Sequence, residues 1–273
     1  MAKPEKDDYT LLYDYLAKKA ASAYLAKKFT TTSPAGYRGW RRERYIQQFL
    51  DLKPEDRFLD IGCASGRHTN MAAEIVKESY GVDISEEFIK KAKESGGKAK
   101  LMVADAAKLP FDDDYFDKIL CGEVLEHVRN LEVVVKEMKR VLKKGGIAVV
   151  TVPQRNADAT VWKRIKNGIL GRKTELLEDF SVEAYRKVKH MHIRSFIFED
   201  LKGIFEREGF KLERAASAKV VDFPFYEESF SLTRKLRAQR AFTKLLGIMD
   251  GFLEKREFSR DYCAGLVIRV VKI

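Results

Sequence analysis

Three carboxylates in the first half of the chain stand where apolar runs stop: Asp60 after Phe58-Leu59, Asp83 after Tyr80-Gly81-Val82, and Asp105 after Met102-Val103-Ala104. The first opens Asp60-Ile61-Gly62-Cys63-Ala64-Ser65-Gly66, a D-x-G-x-A-x-G run of small residues. Such a turn between a strand and a helix brings backbone N–H groups and the positive end of the helix close to a nucleotide-like ligand. It is not the dinucleotide fingerprint G-x-G-x-x-G, because no third glycine falls where that pattern needs it. Asp83 follows the turn by about twenty residues, the distance at which an acidic side chain accepts both hydroxyls of a ribose. Asp105, with Ala106 beside it, is a short carboxylate able to meet an adenine amino group.

These groups form one site only if their strands lie side by side with their carboxyl ends on one edge. Strand-like runs occur at Arg57–Ile61, Ser79–Asp83, Ala99–Ala104, Phe116–Cys121 and Gly146–Val152. Helical patterns lie between them, over 67–77, 85–94 and 130–143, and again over 198–208. Glycine pairs Gly96-Gly97 and Gly145-Gly146 mark helix ends. This alternation predicts an α/β fold with a mostly parallel sheet and helices on both faces, in which ligands bind at the carboxyl ends of the strands. Two β-rich runs, Phe210–Ala218 and Gly265–Lys272, close the chain, and a late antiparallel edge strand fits them. Ahead of the sheet, apolar residues at spacings of three and four predict an amphipathic helix over 7–28. A loop at 30–36 and a second helix from Arg38 to Leu50 follow. The division is an N-terminal helical region, 1–56, and a domain, 57–273, with helix-patterned insertions at about 154–194 and 219–260.

The chain has 273 residues and a net charge of +11, with 45% hydrophobic residues. No apolar run approaches a membrane span and the N-terminus has no signal-peptide core. Cys63, Cys121 and Cys263 share no C-x-x-C spacing and sit in or beside apolar runs, so buried free thiols are expected, and the protein is read as soluble and cytoplasmic. No metal-ligand spacing is present. The charge is unevenly spread. Residues 154–194 hold ten basic against five acidic side chains, and 219–260 hold nine against six. Residues 58–153 hold fifteen against sixteen. The excess therefore lies in the insertions and the N-terminal region, which fits an anionic partner or a lysine-rich solvated surface.

Further along, Leu109-Pro110-Phe111 precedes Phe116-Asp117, then come Leu125-Glu126-His127-Val128 and Lys139-Arg140-Val141-Leu142-Lys143-Lys144-Gly145-Gly146. With the glycine turn, these pieces resemble the class I S-adenosylmethionine-dependent methyltransferases of the quinone-biosynthesis type, the methyltransferase type 11 group. That family reads R-x-L-K-P-G-G where Lys144 here replaces the proline, and usually has glycine where Ala64 stands. His192-Ile193-Arg194-Ser195-Phe196, a helix, and Glu208-Gly209-Phe210 look like its later signature, so the match covers roughly residues 37–218 in order.

The resemblance implies a Rossmann-like seven-stranded domain that uses S-adenosyl-L-methionine and releases S-adenosyl-L-homocysteine. It implies Gly62, Cys63, Ala64 and Gly66, in the turn opened by Asp60, at the methionine part. It also implies Asp83 and Ile84 at ribose and adenine, Asp105 and Ala106 at adenine, and Cys121, Gly122 and Glu123 near the sulfonium. Arg42 looks like an arginine placed at the methionine carboxylate, which a guanidinium can bond with two parallel N–H groups. Its neighbours Arg38, Arg41 and Arg44 are equally the pattern of a solvated helix face. The sulfonium is already activated, so alignment and exclusion of water supply much of the rate. A base is needed only where the acceptor must lose a proton, and of His68, His127, His190 and His192 the candidates are His127 and His192.

Three readings of the acceptor follow. A small-molecule or lipid-like acceptor, methylated on oxygen or nitrogen, suits the resemblance and the apolar Phe223, Phe225, Tyr226 and Phe230. RNA, tRNA or rRNA, suits Trp162, Lys163, Arg164 and Lys166, and Arg234, Lys235, Arg237 and Arg240, which can follow phosphates while an aromatic ring stacks a base. Against RNA, Cys121-Gly122-Glu123-Val124 stands where an Asn-Pro-Pro-Tyr-type motif would serve exocyclic base nitrogens. The same positive charge suits an anionic membrane surface. A cofactor-binding scaffold without transfer is the third reading.

Overall fold

The computed structural model describes residues 34–153, 194, 196–217 and 265–273. Over these the chain runs α1 (Pro34–Leu50), β1 (Arg57–Ile61), α2 (Arg67–Ala73), β2 (Glu78–Asp83), α3 (Glu86–Glu94), β3 (Lys100–Val103), β4 (Phe116–Gly122), α4 (Leu131–Val141), β5 (Leu142–Pro153), α5 (Phe198–Arg207), β6 (Phe210–Ser217) and β7 (Gly265–Lys272). The helix expected over 7–28, His190, His192, Cys263, nearly all of the 154–194 insertion and all of the 219–260 insertion lie outside the described residues.

The strands make one sheet in the order β3-β2-β1-β4-β5-β7-β6. Strands β1 to β5 pair in parallel. The sheet steps outward in one direction from β1 to β3 and in the other from β4, so the order reverses between β1 and β4. That reversal opens a crevice at the carboxyl ends of these two strands. β7 is antiparallel to both β5 and β6. The antiparallel strand is thus internal rather than at the edge, and the edge belongs to β6.

Alternate side chains divide the core. Leu59 and Ile61 of β1, with Val82, Ile119, Cys121, Ala148 and Val150, face the layer of α4 and α5 through Val134, Val135, Met138, Leu201 and Phe205. Phe58, Leu120, Val149 and Val267 point the other way, onto Ile46, Phe49 and Leu50 of α1 and Ala72 of α2. A sheet covered on both faces explains why its central strands are near-continuous apolar runs. α3 is capped by Ser85, whose Oγ accepts from Phe88 N, carries Glu86 and Glu87 in its first turn, and buries Ile89 and Ala92 on Leu101. Asn130 caps α4 in the same way.

Several boundaries differ from the sequence pattern. α1 begins at Pro34, within the expected 30–36 loop, rather than at Arg38. α2 stops at Ala73 rather than at 77. β5 begins at Leu142, ahead of the glycine pair, because Leu142 pairs with Phe116 before the register slips to Lys118↔Ile147. Gly145 takes φ 76 within that slip. The glycines there mark a bulge inside a strand rather than a helix end.

Candidate active site at the carboxyl edge of the sheet

Leaving β1, the backbone enters the left-handed region three times in five residues, at Gly62 (φ 71), Ala64 (φ 44) and Gly66 (φ 72). Val124, from the segment after β4, occupies the space that a Cβ on Gly62 would need. The glycine turn and the post-β4 segment therefore pack against each other. The N–H groups of Gly62 and Cys63 both donate to the Val82 carbonyl, at 2.8 and 2.9 Å, which ties the turn to the end of β2.

Asp60 is the fourth of the five residues of β1. It is buried, its Oδ2 accepts from Thr69 Oγ1 at 2.8 Å, and burial pushes its pKa up to about 6. It anchors α2 beneath the turn. Asp83 is buried at the end of β2; its Oδ2 accepts from Ala64 N and its Oδ1 from Ser85 N, both at 2.9 Å. The carboxylate thus fixes the turn's middle residue from the neighbouring strand. Ile84, beside it, is 37% exposed although apolar. Asp105 is exposed past β3, with Oδ1 accepting from Ala107 N at 2.8 Å, and Ala106 is half-buried. Ala104 N donates to the Asp83 carbonyl. The ends of β1, β2 and β3 thus bring Asp83, Ile84, Asp105 and Ala106 together along one edge. An apolar surface flanked by carboxylates fits an adenosine, whose flat base is apolar on its faces and donates hydrogen bonds from its amino group.

At the end of β4, Cys121 is fully buried, Gly122 is half-buried, and Glu123 takes φ 57. Glu123 is held from two sides. Thr151 Oγ1 of β5 donates to its Oε1 at 3.1 Å, and Arg42 Nη1 of α1 lies 3.3 Å from its Oε2. Arg42, expected at a methionine carboxylate, is therefore at the crevice and already paired with an acid. Arg41 instead turns inward, 5% exposed, with Nη2 donating to Tyr45 Oη at 3.2 Å. Cys63 and Cys121 are buried free thiols, and burial drives both pKa values up, so neither is a nucleophile. His127 is half-buried, with Nε2 3.7 Å from Glu126 Oε1.

Four features were not singled out from the sequence. Thr69 holds Asp60, and Thr151 holds Glu123. Glu43 of α1 places Oε2 2.9 Å from His68 Nε2 and 3.5 Å from Arg67 Nη1, joining the N-terminal helix to the start of α2. Glu126 is 1% exposed, and its Oε2 has no hydrogen-bond partner. Burial first, then the Glu123 charge, pushes its pKa to about 9. No group of three or more potential metal ligands occurs among the described residues. No helix among them is long and apolar enough to cross a membrane.

Comparison with known proteins agrees with this geometry. Residues 59–150 match a family model described as a methyltransferase domain. An uncharacterised protein of Methanocaldococcus jannaschii is 28% identical over 264 residues, covering 92% of this chain and 97% of its own length. A demethylmenaquinone methyltransferase of Staphylococcus aureus is 30% identical over 183 residues, covering 63% of this chain and 73% of its own. A chain of the complex between the Haloferax volcanii Trm112 methyltransferase activator and a methyltransferase shares the fold. It superimposes with a TM-score of 0.61 at 16% identity, over 98% of both chains.

Proposed function

This chain belongs to the class I S-adenosylmethionine-dependent methyltransferases, and we propose that it methylates an oxygen or nitrogen atom of a small-molecule or lipid-like acceptor. S-adenosylmethionine is its cofactor, and when bound it supplies an electrophilic methyl group on a positively charged sulfur. The residues proposed to hold it are the turn Gly62 to Gly66, Asp83 and Ile84, Asp105 and Ala106, and the post-β4 residues Gly122 and Glu123. In this reading Asp83 divides its oxygens between the backbone of the turn and the ribose. Ile84 covers one face of the base and Asp105 accepts from its amino group. Arg42 either exchanges Glu123 for the cofactor's carboxylate or bonds both. His127 is the proposed general base among the described residues, with Glu126 3.7 Å from its Nε2. His192 is the second candidate.

The observation that supports this acceptor class is the 183-residue likeness to a demethylmenaquinone methyltransferase, which runs well beyond the glycine turn. The first test is calorimetric titration with S-adenosylhomocysteine, followed by methyl transfer from labelled cofactor to a panel of phenols, quinols and amines. Labelled product from that panel supports the reading. Transfer to tRNA or rRNA alone would replace it.

A second reading, RNA methylation, is favoured by the charge of the two proposed insertions, ten basic against five acidic side chains and nine against six. It requires tRNA binding that weakens steeply with salt. We place the enzyme in the cytoplasm. We also propose that it works with an activator protein, by analogy with the Haloferax volcanii neighbour. Co-expression with the Trm112 protein of the same source tests this, a stable complex supporting it and separate elution opposing it.

A further inference from the structure

Two carboxylates lie three residues apart in the segment after β4, and the fold treats them differently. Glu123 stands at the crevice with Arg42 and Thr151 on its two oxygens. Glu126 is 1% exposed, with Oε2 unpartnered, and among the described residues no cation lies within ion-pair distance other than the His127 ring, 3.7 Å from Oε1. A carboxylate sealed from water with one oxygen unpartnered is costly as an anion, and burial favours its protonated form. Val124, between the two acids in sequence, fills the space over Gly62 and so packs this segment on the turn.

We propose that Glu126 is the charge sensor of the site, protonated in the free enzyme and ionised when a sulfonium-bearing ligand binds, so that the enzyme holds the cationic cofactor in preference to the neutral thioether product. This rests on the cofactor site proposed above. Among the described residues, Glu123 opposes its ionisation, while the backbone N–H of Glu126 itself and Arg42 of α1 favour it. His127 sits on the same turn. The Cys121 thiol of β4 feels the Glu126 charge but is itself held neutral by burial. The Arg194 backbone N–H donates to the Glu126 carbonyl at 3.4 Å, leaving the carboxyl group untouched.

A positive charge arriving beside Glu123 offsets that acid's opposing field and favours the Glu126 anion against the burial that chiefly keeps it neutral. In a buried environment with weak screening, one unit charge nearby acts strongly on such a group. S-adenosylmethionine and S-adenosylhomocysteine share the base, ribose, amine and carboxylate. They differ in one methyl group and one charge at sulfur, so any difference in protons released on binding reports on groups that sense that charge. After transfer the charge is gone, Glu126 takes a proton back, and the product is held less tightly. This gives the acid a role in turnover without requiring it to touch the acceptor.

The experiment is calorimetry of the full chain at pH 7 with each ligand, repeated in phosphate and Tris buffers, whose ionisation enthalpies differ. The slope of heat against buffer enthalpy counts protons. The expected result is release of about one proton per site with S-adenosylmethionine and near zero with S-adenosylhomocysteine. In Glu126→Gln the difference vanishes, and the preference for the cationic ligand narrows about tenfold. Equal proton counts for the two ligands in the wild-type protein overturn the proposal. So does a release that persists in Glu126→Gln, which would assign the proton to Glu123 or His127. If that variant does not fold, the wild-type comparison alone decides. Binding of both ligands with equal counts removes only the role of Glu126. Binding of neither removes the cofactor site and this inference together.

Discussion

Replacing Asp83 by alanine removes two acceptors at once, the one that fixes Ala64 N and the one that fixes Ser85 N, both at 2.9 Å. The turn then loses its tie to β2 as well as its proposed ribose contact. Asp83→Ala is expected to weaken S-adenosylhomocysteine binding more than about tenfold. Unchanged affinity by calorimetry would remove Asp83 from the site. Ala64 makes the converse case. It holds φ 44, a conformation that glycine adopts at little cost, so Ala64→Gly is expected to stabilise the fold by up to about 1 kcal/mol. A lower urea midpoint in that variant would show that the side chain makes contacts worth more than the strain. These residues also show how much of the site the sequence discloses. Asp83, Ile84, Asp105 and Ala106 reach one edge because strand order alone places them there. Asp60 has the same sequence credentials, and its buried carboxylate accepts from the Thr69 hydroxyl, a partner that no spacing announces. Glu126 gives no such signal, because no spacing rule distinguishes a sealed carboxyl from a solvated one.

Helix α1 is pinned at several points: by Glu43 to α2, by Arg42 to Glu123, and by Arg269 of β7, whose Nη1 donates to the Phe49 carbonyl at 2.8 Å. The Glu43–His68 contact has a definite pH window. For His68, burial opposes the charge, but the bond to Glu43 together with the charges of Asp60 and Glu43 outweighs it and raises the pKa above 6.5. Its contribution is complete below 6.5 and fades as pH rises through the folded value. For Glu43, burial is likewise overcome by His68 and Arg67, and its pKa falls below 4.5. Its contribution is present above 4.5 and is lost as pH falls through the folded value. The contact is therefore firmest between pH 4.5 and 6.5. Amides of α1 should exchange faster at pH 8 than at 5.5, after correction for intrinsic rates, and Glu43→Gln should erase the difference. An unchanged difference in that variant would assign it to another contact. The elements are legible where period and turn residues agree, as for β1 and β7, whose bounds match the sequence pattern residue for residue. The pattern fails where a long-range partner decides. Leu142 belongs to β5 because Phe116 waits opposite it, and no local pattern carries that information.

At the scale of the whole molecule, the two strongly shifted buried acids among the described residues act in the same direction. Asp60 is raised from 3.8 to about 6 and Glu126 from 4.5 to about 9, each chiefly by burial. A raised acid contributes stability that is complete below its unfolded pKa and is lost as pH climbs to the folded one. Folding stability from these groups should decline from about pH 4 to 6 through Asp60 and on towards 9 through Glu126. Urea midpoints of wild type and Glu126→Gln, measured at pH 5.5, 7 and 9, should diverge, with the variant flatter above pH 6. Parallel curves would deny Glu126 its raised pKa. The topology has a consequence of another kind. β7 lies between β5 and β6, so β6 can join the sheet only after residues 265–272 exist. On the ribosome, β5 and β6 are made first and wait for their common neighbour. At usual elongation speeds the bare flank of β5 stays open for roughly ten seconds before β7 emerges. During that interval the nascent chain offers a long apolar strand, Ile147 to Val152, to any chaperone or stray strand nearby.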